Sequence, residues 1–237
     1  MTPREVLLRR PVPRGIIRWL IFLSKTHKLW QWRNGMTHNS KTEIREDTAP
    51  YWFSPSPFRV SESFEEFVEL NRELRVEQNA NGEIVIMSPT GAESSHRNSS
   101  ISAQLWIWSA KFGGKTFDSS VLFTLPNGSR RGPDASWISS NRWDAIPKPD
   151  RAGFAPICPD FVIELRSQSD RLPDLQLKMD EYILNGIKLG WLIDPFERVV
   201  HIYVPNQPTR ILVDPLLVTG EPVLPGFILE LKGIWSE

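Results

Sequence analysis

Cys158-Pro-Asp-Phe-Val-Ile-Glu-Leu-Arg-Ser-Gln-Ser-Asp170 is the stretch of sequence that decides the fold of this chain. Its centre, from Phe161 to Leu165, is rich in strand-forming residues and predicts a short buried strand. Because side chains alternate along a strand, Val162, Glu164 and Arg166 share one face. A buried charge is costly unless it is paired, hydrogen-bonded or bound to a metal. Charged side chains on a core strand that leads into a helix therefore indicate a functional site.

The composition is that of a globular protein. The chain has 237 residues, 40% of them hydrophobic and 24% charged, which suits one domain with a sizeable core or one domain with an appendage. Twenty prolines and ten tryptophans predict many turns and a large aromatic core. Cys158 is the only cysteine, which excludes an intrachain disulfide and a cysteine zinc site. This usage is typical of a reducing compartment, and we expect a cytoplasmic protein.

The charge is unevenly distributed, although the formal net charge is zero. Residues 1–45 hold ten Lys or Arg and two Glu, so the remainder is acidic by the same margin. We interpret residues 1–57 as a basic, poorly ordered N-terminal extension and residues 58–237 as the domain; the alternative is a basic arm that contacts nucleic acid or an anionic membrane. The apolar run Ile16–Leu23 is too short to span a membrane, and we expect no membrane partner. Met36 is an alternative start.

Helix and strand patterns follow one another from about Ser61. Helices are predicted to start near Ser61 and to cover residues 92–112 and 170–185. Strands are predicted at residues 74–78, 83–87, 115–118, 121–125, 133–138, 161–165, 188–193, 199–204, 211–213 and 227–231. A proline-rich connection covers residues 139–159. This order predicts a mixed α/β (α+β) fold around one sheet.

Three charged residues are candidates for chemistry. Asp134 begins one predicted strand, Glu164 lies within another, and Lys178 lies on the helix that follows. Two carboxylates from neighbouring strands make an oxygen-rich site suited to Mg²⁺ or Mn²⁺. Such a metal polarises a phosphodiester, and a nearby lysine orients water or neutralises charge. Spacing alone leaves a structural pairing of Glu164, with Arg166 or across the strands, as the alternative.

Several motifs occur in a fixed order between about Ser61 and Trp235. They are Arg75-Val-Glu77, Gly82-Glu-Ile-Val-Ile-Met-Ser-Pro-Thr-Gly91, Gly132-Pro-Asp-Ala-Ser-Trp137, Pro159 to Asp170, Leu177-Lys-Met-Asp-Glu-Tyr182, Asn185-Gly186, Gly190-Trp-Leu-Ile-Asp-Pro195 and Leu224-Pro-Gly-Phe227. As a set they resemble the Uma family of restriction-endonuclease-like proteins, cyanobacterial type, within the PD-(D/E)xK nuclease superfamily. The resemblance implies a restriction-endonuclease-like core, with a central mixed sheet flanked by helices and extra β-hairpins. It also implies a Mg²⁺-dependent DNA endonuclease that forms a homodimer.

The resemblance assigns roles to individual residues. Asp134 and Glu164 match the metal-binding acids of the family. The superfamily lysine stands two residues after the glutamate, where this chain has Arg166, and the family pattern displaces that lysine to Lys178. Arginine keeps its charge and is no base, so Arg166 is at most an electrostatic clamp.

Other residues are candidates for auxiliary or structural roles. Glu93, and less surely Glu77, match auxiliary acids of the family. Arg130 and Arg131, at a predicted hairpin tip, are phosphate-contact candidates or part of a solvated turn. We expect His96 at the surface. We further expect His201 to be structural, and Trp106, Trp108 and Trp191 to be core residues.

Two other functions stay open. One is a catalytically inactive nucleic-acid- or protein-binding module on a nuclease scaffold, which the acidic body and Arg166 favour. The other is a metal-dependent hydrolase of a different phosphoester. Fold alone does not decide among these functions.

Overall fold

Ser61 and residues 63–235 are the part of the chain that this computed structural model describes. The predicted N-terminal extension, residues 1–57, lies outside the described residues. The chain divides into two compact units, Met1–Val76 and Glu77–Glu237. Every residue of the candidate site belongs to the second unit.

Helix α1, Phe64–Leu70, is the helix described in the first unit. The Ser63 hydroxyl accepts a hydrogen bond from the amide of Glu66 at 3.1 Å, which satisfies one of the free amides at the helix N-terminus. Phe64 and Phe67 are buried. The helix start that the serines predict is therefore confirmed.

The second unit alternates strands and helices. In chain order the elements after α1 are β1 (Arg75–Gln78, which begins in the first unit), β2 (Ile84–Met87), α2 (Ala92–Phe112), β3 (Lys115–Asp118), β4 (Phe123–Thr124), β5 (Arg130–Arg131), β6 (Ala135–Ile138), α3 (Ser140–Ala145), β7 (Phe161–Leu165), α4 (Leu172–Leu184), β8 (Leu189–Asp194), β9 (Val199–Tyr203), β10 (Arg210–Val213), β11 (Leu217–Thr219) and β12 (Ile228–Glu230). The predicted bounds of α2 and β3 are confirmed to the residue. The sequence did not predict β5, α3, inside the proline-rich connection, or β11.

Six strands form the central sheet, in the order β10-β9-β8-β7-β6-β3. β7 and β8 are parallel, and the other neighbouring pairs are antiparallel. The sheet is therefore mixed, as predicted. The short strands form extra antiparallel pairs: β4 with β5, β5 with β1 at Gln78, and β11 with β12.

Helix α2 covers one face of the central sheet. Its Ile101 and Leu105 are fully buried in one core cluster with Phe161 and Ile163 of β7. Trp191 of β8 belongs to the same cluster and is fully buried, as expected for a core tryptophan. The side chains of β7 on this face are thus apolar, in agreement with the alternation that the sequence predicts.

Helix α4 belongs to a second core cluster, which contains the other face of β7. Met179 and Tyr182 of α4 are fully buried in it with Val162 and Leu192. Gly190 of β8 permits the close approach, because a Cβ atom there would lie 2.4 Å from Met179 Cε. Glu164 lies on the same face of β7 as Val162. Helix α4 therefore covers the face that carries this candidate metal-binding acid.

The outer surface of α2 differs from the prediction. Trp108 is buried, as expected, but Trp106 is 62% exposed and Phe112 is 52% exposed. Trp106 follows the buried Leu105 by one residue, a turn of about 100° around the helix, and so faces outward. The expectation that Trp106 is a core residue is wrong. Among the described helices, none has both the length and the apolar character needed to cross a membrane.

Candidate active site

Asp134 and Glu164 come from neighbouring strands of the central sheet. β6 and β7 pair antiparallel, with Ala135 opposite Ile163. Since Asp134 precedes Ala135 and Glu164 follows Ile163, the same register places the two acids opposite each other on one face. Asp134 Oδ2 accepts a hydrogen bond from the amide of Leu165 at 2.8 Å. The structure thus brings the two predicted metal-binding acids side by side.

Glu164 is buried among charged and polar groups. Its Oε1 lies 2.8 Å from Lys178 Nζ and accepts a hydrogen bond from the Tyr182 hydroxyl at 3.1 Å. Burial raises the pKa of Glu164 to about 8; Lys178 opposes this shift, whereas the nearby carboxylates of Asp134 and Glu77 add to it. The environment therefore favours a cation beside this carboxylate.

Lys178 projects from the second turn of α4 into the gap between two carboxylates. Its Nζ lies 2.8 Å from Glu164 Oε1 and 2.8 Å from Glu77 Oε1, and it donates to the carbonyl of Gly132 at 3.4 Å. Burial would lower the pKa of Lys178, but Glu164 and Glu77 raise it above its ordinary value. Lys178 is therefore a fixed positive charge between the two acids.

Glu77, at the end of β1, holds the other side of Lys178. Its Oε1 also accepts a hydrogen bond from the amide of Gly132 at 2.9 Å, and its Oε2 lies 3.1 Å from Arg131. Burial would raise the pKa of Glu77, but Lys178 and Arg131 lower it. Gly132 also allows the chain to pass close to Val121, because a Cβ atom there would lie 2.6 Å from the carbonyl oxygen of Val121. Of the two predicted auxiliary acids, Glu77 is the one that contacts Lys178.

The paired arginines of β5 are engaged within the protein. Arg131 Nε lies 2.5 Å from Glu181 Oε2, while its NH1 contacts Glu77. Arg130 donates to the side chain of Gln78 at 2.5 Å. Arg131 is turned inward, where it neutralises two acids, and the phosphate contact of this pair stays a prediction. A local sequence window could not show those partners, which lie about fifty residues away along the chain.

Arg166 points to a different carboxylate. Its NH1 lies 2.6 Å from Asp194 Oδ2 at the end of β8, and its guanidinium lies over the ring of Phe196. Glu164, the neighbour that the sequence suggested for it, is held instead by Lys178. The ammonium beside Glu164 comes from the helix that follows β7.

Helix α2 reaches the candidate site through an amide. Asn98 Nδ2 donates to Asp134 Oδ1 at 3.0 Å. Glu93 is exposed and lies 3.3 Å from Arg97, and His96 is exposed, as expected. The structure therefore brings Asn98 to Asp134, whereas Glu93 pairs with Arg97 of its own helix.

Sequence reasoning missed three residues of the cluster: Tyr182, Glu181 and Asn98. Tyr182 was predicted to lie on the buried face of α4 as a core residue, with no role in the site. A signal was present, since Lys178, Glu181 and Tyr182 stand at positions i, i+3 and i+4, which share one side of a helix. Asn98 carried no comparable signal, because its partner Asp134 lies 36 residues along the chain.

The donor set fits a hard divalent cation. Asp134 and Glu164 supply carboxylate oxygens, and Glu164 Oε2 has no hydrogen-bond partner in the described part of the chain. Mg²⁺ keeps several waters and is commonly held by one or two carboxylates together with substrate phosphate. Two adjacent acids are therefore sufficient protein ligands, although within residues 63–235 no group of three or more His, Cys, Asp and Glu side chains converges as a ready-made metal site.

Comparisons with known proteins bear on the family and the fold of the chain. A family model described as "Uma2: Putative restriction endonuclease" matches residues 62–232. Among curated proteins, none matches the sequence. The crystal structure of a "putative nuclease belonging to DUF820" from Anabaena variabilis ATCC 29413 is similar at a TM-score of 0.58 and 22% identity, over 71% of this chain and 97% of that chain. This similarity shows the fold.

A cryo-EM structure of a DrdV–DNA complex is also similar over part of its length. Its TM-score is 0.34 at 17% identity, over 52% of this chain and 10% of that chain. A similarity of this size carries no argument about the present protein.

Proposed function

The chain belongs to the Uma2 family of restriction-endonuclease-like proteins, and from this premise we propose that it is a DNA endonuclease that hydrolyses phosphodiester bonds with Mg²⁺ or Mn²⁺. One observation carries the proposal: Asp134 just before β6, Glu164 in β7 and Lys178 in α4 converge, with Lys178 Nζ 2.8 Å from Glu164 Oε1. Two acids and an ammonium on one face of a sheet are the groups that phosphodiester hydrolysis requires.

The acids have the role of holding the cation. Asp134 is fixed by Asn98 and by the amide of Leu165, and Glu164 is fixed by Lys178 and Tyr182. Groups fixed in this way bind a cation and a phosphate without first reorganising. When bound, a divalent cation supplies Lewis-acid polarisation of the phosphodiester and makes nearby water more acidic.

Lys178 has the role of a stabilising charge. Because Glu164 and Glu77 raise its pKa above the ordinary value, it stays protonated at neutral pH and is not a general base. Its ammonium neutralises negative charge that develops on the phosphoryl group. Glu77, held by Gly132 and Arg131, keeps the ammonium in place.

The test is nicking of supercoiled plasmid DNA with Mg²⁺ or Mn²⁺. Asp134→Asn, Glu164→Gln and Lys178→Met should each reduce the rate by about a hundredfold or more, and EDTA should abolish it. Asp144→Asn is the matched control, because this acid of α3 is 70% exposed and pairs with Arg151, outside the candidate site. Equal rates in the wild type and the three variants would discard the proposal.

The functional unit that we propose is a homodimer. β10 is an edge strand of the central sheet, and its Ile211 and Val213 are exposed on one face. Such an edge with apolar side chains favours pairing, and antiparallel pairing of two identical strands satisfies a two-fold axis.

Light scattering tests the homodimer. The expected mass is twice the 27.3 kDa of the chain. Val213→Lys should give the monomer, whereas Leu184→Lys, at an exposed position of α4, should not change the mass. A monomeric wild type would refute the dimer and leave the proposed chemistry untouched.

A second candidate is a catalytically inactive nucleic-acid- or protein-binding module. The observation in its favour is the ion cluster itself, in which Lys178 satisfies Glu77 and Glu164 without any cation. Calorimetric titration with Mn²⁺ separates the two candidates. Binding that Asp134→Asn and Glu164→Gln both remove supports the nuclease, and no binding supports the inactive module.

A further inference from the structure

Tyr182 is a buried residue whose hydroxyl reaches the candidate site. It lies on α4, one turn after Lys178, and its side chain is fully buried. The hydroxyl donates to Glu164 Oε1 at 3.1 Å, the same oxygen that Lys178 Nζ approaches at 2.8 Å. Two consecutive turns of one helix therefore hold a single carboxylate oxygen.

This arrangement divides the two oxygens of Glu164 between two tasks. Oε1 is occupied by Lys178 and Tyr182, whereas Oε2 has no hydrogen-bond partner among the residues described. Restraining Oε1 at two points fixes the rotation of the carboxyl group. It leaves Oε2 as the oxygen that is available to a cation.

We propose that Tyr182 is a positioning residue, which orients Glu164 for the divalent cation by holding its Oε1. The inference rests on the proposed nuclease function and deepens it. Groups that hydrogen-bond a metal-binding carboxylate set its orientation, and their loss commonly costs 10–100-fold in metal affinity or activity.

The hydroxyl is suited to this task because it stays protonated. Burial raises the pKa of Tyr182 well above its ordinary value, and the nearby Glu164 and Glu77 raise it further. At neutral pH the phenol is therefore a donor and takes no part in proton transfer. A phenylalanine ring would fill the same space in the core but would leave Glu164 Oε1 with Lys178 alone.

Tyr203 provides a matched control. It is the other buried tyrosine of the same core cluster, on β9. Burial raises the pKa of Tyr203 to about 12, and the charged neighbour that contributes is Asp180. Tyr203→Phe thus removes a buried hydroxyl from the same core without touching Glu164.

The experiment compares the wild type, Tyr182→Phe and Tyr203→Phe as full-length chains. Mn²⁺ affinity is measured by calorimetry, and kcat and KM by plasmid cleavage. We expect Tyr182→Phe to lose about 10–100-fold in Mn²⁺ affinity or in kcat, with KM for DNA unchanged. Tyr203→Phe should behave as the wild type in both measurements.

The outcomes separate the two levels of the proposal. If the wild type binds Mn²⁺ and cleaves DNA while Tyr182→Phe matches it, the positioning role is overturned and the nuclease stands. If the wild type neither binds Mn²⁺ nor cleaves, both fail. Should Tyr182→Phe not fold, tyrosine absorbance is followed during Mn²⁺ titration in a Tyr51→Phe/Tyr203→Phe protein, whose remaining tyrosine is Tyr182. A perturbed spectrum supports the role of Tyr182, and an unperturbed one overturns it.

Discussion

Two buried carboxylates close to one another in sequence show how neighbours decide what an acid does. Asp160 is fully buried, with Lys188 at 2.7 Å, Arg142 at 3.0 Å and the amide of Ser139 at 2.8 Å. Burial would raise the pKa of Asp160, but these groups lower it. Glu164 is buried near one ammonium, that of Lys178, and two other carboxylates, those of Asp134 and Glu77, and its pKa is raised. Asp160 is therefore structural, and Glu164 is left with an affinity for positive charge.

The raised pKa of Glu164 predicts a pH dependence of stability in the metal-free protein. Its ordinary value is 4.5 and its value in the fold is about 8. The folded state thus holds a proton that the unfolded state releases, and the stabilisation from this group is full below pH 4.5 and is lost as the pH rises through about 8. Thermal unfolding in EDTA should show the melting temperature falling across this window.

Glu164→Gln is the control for that prediction, because the amide has nearly the same shape and does not titrate. The variant should show a flatter profile between pH 4.5 and about 8. Lys178 stays charged throughout this window, and Glu77, whose pKa is lowered, stays ionised. Identical profiles for the variant and the wild type would show that Glu164 does not titrate in this way.

At the scale of elements, α4 determines the geometry of the site. It presents Lys178 and Tyr182 to Glu164 and Glu181 to Arg131, while Met179 packs where β8 has Gly190. The position of three site contacts therefore depends on how closely one helix approaches the sheet. A displacement too small to unfold the protein is enough to separate an ammonium from a carboxylate.

Gly190→Val tests this dependence. A Cβ atom at Gly190 would lie 2.4 Å from Met179 Cε and 2.8 Å from Ile187 Cδ1, so α4 must move or these side chains must bend. We expect a loss of about 1–3 kcal/mol in the free energy of unfolding, from overpacking, and a larger loss in cleavage rate. Urea unfolding and plasmid nicking measure the two effects.

Gly153→Val is the comparison, since a Cβ atom there meets nothing within 4 Å. It should leave both stability and cleavage close to the wild type. If Gly190→Val lowers stability but cleaves at the wild-type rate, α4 does not set the geometry of the site.

At the scale of the whole molecule, the sequence predicted the helix bounds and strand faces that depend on residues close together in the chain. The residues of α2 follow a helical period between a glycine turn and Gly113, and its bounds are confirmed. The alternation of β7 predicted which of its side chains share a face, and the two faces lie in different core clusters. Lys178 was a candidate from the residues themselves, and the family resemblance gave it the role of the displaced lysine, since no local pattern joins a helix residue to a strand residue fourteen positions earlier.

The features that sequence reasoning missed depend on distant partners. Arg131 turns inward because Glu181 lies beside it, fifty residues later in the chain. Arg166 turns to Asp194 because β7 and β8 lie side by side in parallel. Such partners follow from the assembled sheet, which no window of sequence contains.

The uneven charge of the chain leads to a prediction about residues 1–57. The site residues all lie between Glu77 and Tyr182, and the family match begins at residue 62. A chain that lacks residues 1–57 should keep the wild-type kcat, because the chemistry resides in the second unit. Its affinity for DNA should fall several-fold at low salt, since ten Lys and Arg of residues 1–45 are removed. Loss of kcat on truncation would contradict this division of labour.

One measurement tests the central claim most directly: anomalous diffraction from crystals of the protein grown with Mn²⁺. The claim predicts one Mn²⁺ ion bound to both Asp134 and Glu164, at about 2.0–2.2 Å from a carboxylate oxygen of each. Lys178 should remain within hydrogen-bond distance of Glu164. A Mn²⁺ ion held elsewhere, or in contact with only one of the two acids, would contradict the account.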